Sequence, residues 1–204
     1  MSGPRLLAIS DDAALQRLED WIERLAAAGV DSLQIRHKTS SDRLLLELAQ
    51  RAVRAADGRL QVLINGRPDL AAAAGADGVH LPSAGLPVRE VRERWPEMRI
   101  GLSTHRLEEV EAAAGLADYV TFGPVYPTPS KERFGPPVGP EALCKATRFG
   151  VPVLGLGGVE ASRLASLAAA GASGAAAIRA LRGADSLVQM AQEAARLWPC
   201  RLLP

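Results

Sequence analysis

The sequence predicts an α/β protein, specifically a (β/α)8 TIM barrel formed as a single domain over residues 1–204. Three observations predict it. Short apolar runs alternate with helix-length amphipathic stretches, which implies βαβ units and a parallel sheet. Eight such runs can be found along the chain. Several helices end on one small phrase, in "AAAGVDSL", "AAAGADGV", "AAGLADYV" and "AAAGASGA", and the apolar runs begin about 20 to 30 residues apart, as one unit used eight times would. A doubly wound open sheet would use the same elements and is the alternative.

The first run, "RLLAIS" (5–10), leads into "ALQRLEDWIERLAAAG", whose apolar residues return at three- and four-residue steps as on a helix with one buried face. Glycine in the repeated phrase then takes the left-handed C-cap and hands the chain to the next strand. The further strands are "SLQIRHK" (32–38), "LQVLING" (60–66), "GVHLP" (78–82), "RIGLST" (99–104), "YVTFGPV" (119–125), "VPVLGLGG" (151–158) and "GAAAI" (174–178).

Composition narrows the function classes. A formal net charge of +1 lacks the basic excess of a nucleic-acid or membrane-surface protein. No eighteen-residue apolar run and no secretory core in "MSGPRLLAIS" point to a cytoplasmic enzyme. Cys144 and Cys200 have no metal-ligand spacing. Arginine outnumbers lysine 21 to three, so Lys38, Lys131 and Lys145 stand out as positions where lysine was kept. The sequence is compatible with a homo-oligomer.

In a barrel of this kind, function gathers at the C-terminal ends of the strands and in the loops after them. The glycines of "GLGGV" after the seventh strand and the helix start in "AIRALRG" after the eighth form an expected phosphate cradle. Alternation along the second strand places Gln34, Arg36 and Lys38 on one side, two cations and an amide facing the same mouth. The segment "GPVYPTPSKERFGPPVG" carries five prolines and puts Thr128, Ser130 and Lys131 at the tip of a long loop. His80 and His105 stand at strand ends and are candidates for proton transfer near neutral pH. His37 shares a face with Ile35, away from the mouth.

These motifs resemble the thiamin phosphate synthase family. "LQIRHK" is similar to its Gln-x-Arg-Glu-Lys strand, with His37 in place of glutamate. "VLINGRPDLAAAAGADGVHLP", "IGLSTH", "ADYVTFGPVYPTPSK" and "VPVLGLGGV" follow in the family's order. The resemblance implies a pyrimidine diphosphate held by Gln34, Arg36, Lys38, Asn65 and Ser103, with Lys131 at the pyrophosphate. It implies Thr128 and Ser130 at the thiazole, and a thiazole phosphate on Gly157, Gly158, Ile178 and Arg179. Arg179 stands where the family has a small serine.

Family synthases hold Mg²⁺ with two aspartates, and here those positions are Gly66 and Gly85. Magnesium prefers carboxylate oxygens. The TenI-like branch of the family instead shifts a proton on a thiazole carboxylate phosphate without metal. The leading expectation is therefore a TenI-like thiazole tautomerase with no required cofactor and a small-molecule thiazole phosphate as ligand. Catalysis would rest on His105, Lys131, Arg36, Lys38 and His80, because Pro124 occupies the position of that branch's usual histidine. The alternatives are a Mg²⁺-using synthase, for which restoring aspartate at 66 and 85 should raise activity, and a non-catalytic precursor-binding regulator.

Overall fold

The computed structural model describes residues 3–128 and 136–199. Eight strands occur where the apolar runs predict them: β1 Leu6–Ile9, β2 Ser32–Ile35, β3 Gln61–Asn65, β4 Gly78–Leu81, β5 Arg99–Thr104, β6 Tyr119–Phe122, β7 Val153–Leu156 and β8 Gly174–Ala177. All neighbours pair in parallel in chain order, and β1 also pairs with β8. That last pairing closes the sheet and excludes the open doubly wound alternative. Most strands are shorter than the runs because the glycines and prolines at their ends turn the chain into loops.

Nine helices surround the described barrel: α1 Asp12–Gln16, α2 Leu18–Ala28, α3 Asp42–Ala56, α4 Pro68–Ala74, α5 Val88–Arg94, α6 Leu107–Ala113, α7 Gly139–Ala146, α8 Ala161–Ala169 and α9 Ala184–Leu197. The first predicted helix is two. Arg17 leaves helical geometry, its N–H closes a tight turn on Ala14 O, and its guanidinium pairs with Asp20 at 2.8 Å. Beyond that break, α2 buries Leu18, Trp21, Ile22 and Leu25, the three- and four-residue spacing of one apolar face.

The repeated phrase does more than cap helices. Gly29, Gly75, Gly115 and Gly171 all have positive φ, as expected. The aspartates that follow three of them reach under the barrel. Asp31 accepts from Arg5 N and Leu6 N at 3.0 Å each, Asp77 from Val62 N at 2.7 Å and Asp118 from Ile100 N at 2.7 Å. Each carboxylate thus satisfies an amide at the start of a strand, where a parallel ladder leaves donors open. The repeat closes the bottom of the barrel and leaves the top for chemistry.

Between barrel and helices lies the larger apolar core, while Leu7, Ile9, Leu63, Tyr119, Leu154 and Ala176 fill the barrel interior. The two ends of the chain are tied together by Trp21, which donates from Nε1 to Leu181 O at 2.9 Å in a buried setting. Trp21→Phe keeps a six-membered ring but removes the pyrrole ring with its N–H, which leaves that carbonyl without its donor and a small void in the core. It is expected to cost about 1–3 kcal/mol, read as a shift of the urea midpoint with unchanged m.

Candidate active site

Inward parity carries a polar layer above the apolar filling of the barrel. Leu63 and Tyr119 belong to the interior cluster, so Asn65 and Thr121, two residues further on, face inward one layer higher. Gln34 is 2% exposed and donates from Nε2 to Asn65 Oδ1 at 2.8 Å. Gln34 Oε1 and Thr121 Oγ1 are buried without a hydrogen-bond partner among the described residues. Buried polar atoms are normally paired, so this layer is built to meet polar atoms that come from outside the protein.

His80 sits at the centre of the layer. Its Nδ1 lies 3.0 Å from Tyr119 Oη and its Nε2 lies 2.9 Å from Ser103 Oγ. The Tyr119 hydroxyl has no other partner among the described residues, so it donates to Nδ1. His80 Nε2–H then donates to Ser103, whose own proton is left to point elsewhere. Burial, with a smaller contribution from the Arg36 charge, pushes the imidazole down to about 3. Burial also pushes the Tyr119 phenol up. Both are neutral near pH 7, and both ring nitrogens of His80 are engaged. The sequence offers His80 for proton transfer; in the structure both of its ring nitrogens are taken by protein groups, one of them Ser103.

Arg36 lies two residues beyond Gln34 on the same side. Its backbone is held from both directions by buried Ser10, whose Oγ accepts from Arg36 N at 2.7 Å and donates to Arg36 O at 3.1 Å. The guanidinium is half-buried and makes no hydrogen bond or ion pair among the described residues. Burial holds it below the usual arginine range, opposed by the Asp12 charge. Lys38 is exposed at the rim. His105 is exposed and donates from Nδ1 to Gly123 O at 2.6 Å, which leaves Nε2 free as an acceptor.

On the opposite side, the loops after β6 and β7 are tied together. Val125 N donates to Leu156 O at 2.8 Å and Tyr126 N to Gly157 O at 3.1 Å. Arg163 lies 4.8 Å over the Tyr126 ring and donates to Gly158 O at 2.6 Å. Gly157 and Gly158 hold φ of 97° and 63°. A Cβ would meet Pro124 at 2.5 Å from the first and Pro127 O at 2.7 Å from the second. Both must be glycine, and their backbone borders a cavity of 310 Å³ whose lining includes Asp11, Thr128, Ile178 and Arg179. Arg179 reaches across to Thr128 Oγ1 at 3.3 Å. Ser130 and Lys131 lie outside the described residues.

A divalent ion does not fit the donors at the described mouth. Gly66 has φ of +69°, and a Cβ on Gly85 would lie 2.9 Å from Pro82 Cδ and 3.0 Å from its carbonyl oxygen. Restoring aspartate at 85 therefore meets a steric constraint that the sequence did not reveal. Exposed Asp12 has no side-chain hydrogen bond or ion pair among the described residues, but it is a single carboxylate, and the others near the mouth already have partners. Asp42 and Asp69 both bind Arg67. Asp11 accepts from Ala14 N and from Arg182, each at 3.0 Å. Among the described residues, no three His, Cys, Asp or Glu side chains group in a way that could hold a metal ion.

Sequence reasoning missed Ser10, Tyr119 and Thr121. The available signal was parity: a tyrosine and a threonine on the inward face of β6 need partners or ligands.

Comparison with known proteins places this geometry. The family described as thiamine monophosphate synthase matches residues 6–181. A putative thiamine-phosphate synthase of Geobacter sulfurreducens is 46% identical over 148 residues, covering 70% of this chain and 69% of that protein. The thiamine-phosphate synthase of Anaeromyxobacter dehalogenans is 42% identical over 142 residues, covering 68% and 64%. Among solved structures, the thiamine phosphate pyrophosphorylase from Pyrococcus furiosus superposes with a TM-score of 0.83 at 26% identity, over 95% of each chain.

Proposed function

The chain belongs to the thiamine monophosphate synthase family, and from that premise we propose that it joins a pyrimidine methyl diphosphate to a thiazole phosphate, forming thiamin phosphate and releasing pyrophosphate. One observation carries the reading. Two anion-ready regions face one mouth, the glycine-lined cavity after β7 and β8 and the unpaired Arg36 guanidinium above the Gln34–Asn65 pair. The tautomerase substrate also brings a second anion, its carboxylate, but Arg36 with Lys38 at the rim offers two cations, which matches the higher charge of a diphosphate better than a single carboxylate. The names of the relatives also favour transfer over the proton shift expected from the sequence.

In this reading the thiazole phosphate rests on the backbone of Gly157, Gly158 and Ile178, with Arg179 and Thr128 closing over it. Gln34, Asn65 and Ser103 present an amide and a hydroxyl to the pyrimidine ring, where His80 keeps the Ser103 proton directed outward. The thiazole nitrogen attacks the methylene carbon as the carbon–oxygen bond to the diphosphate breaks. Arg36 and Lys38 stand where negative charge collects on the leaving oxygens, and cations fixed in advance at developing charge lower the barrier. Lys131 is proposed to join them.

A tautomerase is the second reading, favoured by His105, whose Nδ1 is fixed on Gly123 O so that Nε2 can take a proton. One experiment separates the two. Purified protein is given both synthase substrates, and in parallel a thiazole carboxylate phosphate alone. Thiamin phosphate is expected in the first, with turnover reduced about tenfold or more by Ser103→Ala if that hydroxyl orients the ring. An aromatic tautomer in the second with no thiamin phosphate in the first would reverse the order.

A further inference from the structure

We propose that this protein binds the diphosphate group without a divalent cation, through the Arg36 guanidinium, so that arginine takes over the charge neutralisation a metal ion would otherwise provide. The inference rests on the reading of the Arg36 side of the mouth as a diphosphate site. It concerns how that site neutralises charge, which the transfer reaction leaves open.

Three observations lead there. The two loop positions where carboxylates would enter are glycines, and at Gly85 a side chain would meet Pro82 at 2.9 Å. Asp42 and Asp69 pair with Arg67 and Asp11 with Arg182, which leaves exposed Asp12 as one lone carboxylate, too few oxygen donors for a divalent ion. Arg36, by contrast, is a half-buried cation with no hydrogen-bond partner among the described residues. The nearest opposite charge with an influence on it is exposed Asp12. A half-buried guanidinium whose donors have no protein acceptor is open to an incoming anion.

The Arg36 backbone is also fixed. Ser10 holds its N–H and its carbonyl together, so the side chain leaves from a defined point, near enough to His80 for its charge to act on that ring. A guanidinium presents a planar fork of donors to two phosphate oxygens, a geometry that lysine or a hydrated ion does not reproduce. Lys38 at the rim adds a second positive charge.

The test is calorimetric titration of the full chain with inorganic pyrophosphate, once in excess EDTA and once in excess Mg²⁺. Binding in EDTA is expected to be as tight as in Mg²⁺ or tighter, because Mg²⁺ complexes the ligand and masks the oxygens that Arg36 would take. Arg36→Met is expected to weaken binding about tenfold or more, with Arg36→Lys in between. Binding that appears only with Mg²⁺ overturns the proposal. So does binding that survives Arg36→Met, which would place pyrophosphate in the cavity after β7 and β8. Inorganic phosphate titrated into each variant checks that this cavity is intact. If Arg36→Met does not fold, Arg36→Lys and the EDTA comparison decide alone. The outcomes also separate from the transfer reaction: metal-free pyrophosphate binding without thiamin phosphate formation leaves this inference standing and removes that one.

Discussion

Gly101→Ala is expected to destabilise the protein by about 3 kcal/mol or more and to disorder the polar layer with it. β5 passes directly beneath the contact between Tyr119 and His80. A methyl group at position 101 would lie 2.3 Å from Tyr119 Cζ, 2.4 Å from Tyr119 Oη and 2.5 Å from His80 Nδ1. These are the two ends of a buried hydrogen bond. Neither ring has space to retreat, since Tyr119 is 0% and His80 2% exposed. Overpacking costs about 1–3 kcal/mol, and separating the pair adds the cost of an unpaired buried polar group, about 1–3 kcal/mol. Urea unfolding measures the sum. Gly115→Ala is the control, because a Cβ there meets nothing within 4 Å and the change imposes only an unfavourable φ of +77°. If Gly101→Ala costs no more than Gly115→Ala, the packing described for the barrel interior is wrong.

How much of this was legible in the sequence depends on how local the signal is. The strands were legible because each is a short apolar run followed by a helix-length amphipathic stretch, and that pattern needs no knowledge of neighbours. The placement of Gln34, Arg36 and Lys38 followed from alternation along one strand. The His80–Tyr119–Ser103 chain was not legible, because it joins β4, β6 and β5, and only the register between strands brings those residues to one level. His80 therefore read as a proton carrier when its surroundings make it a neutral support. The role of the aspartates in the repeated phrase was not legible, since the amides they satisfy lie up to 26 residues away in the chain. Gly66 and Gly85 read as missing carboxylates. At Gly85 a Cβ would crowd Pro82, a constraint no sequence pattern shows, whereas at Gly66 a Cβ would make only ordinary contact at 3.5 Å.

The same burial that makes His80 a support makes the fold sensitive to acid. A histidine in the unfolded chain takes up a proton near pH 6.5, whereas folded His80 resists it until about pH 3. Between those values the unfolded state binds a proton that the folded state refuses, so stability falls as pH falls through the window and is complete above it. The slope from this one group approaches about 1.4 kcal/mol per pH unit, hence roughly 2 kcal/mol lost between pH 6.5 and pH 5. His80→Gln removes the titrating group while keeping polar atoms for Tyr119 and Ser103. It is expected to lower stability at pH 7 yet to flatten the dependence, so that the wild-type and variant curves converge as pH drops toward 5. Urea unfolding at intervals from pH 7.5 to pH 5 measures both slopes. Parallel curves would mean that His80 is protonated within the folded barrel. Its Nδ1 could then no longer accept from Tyr119, and the assignment that leaves the Ser103 proton free for a ligand would fall with it.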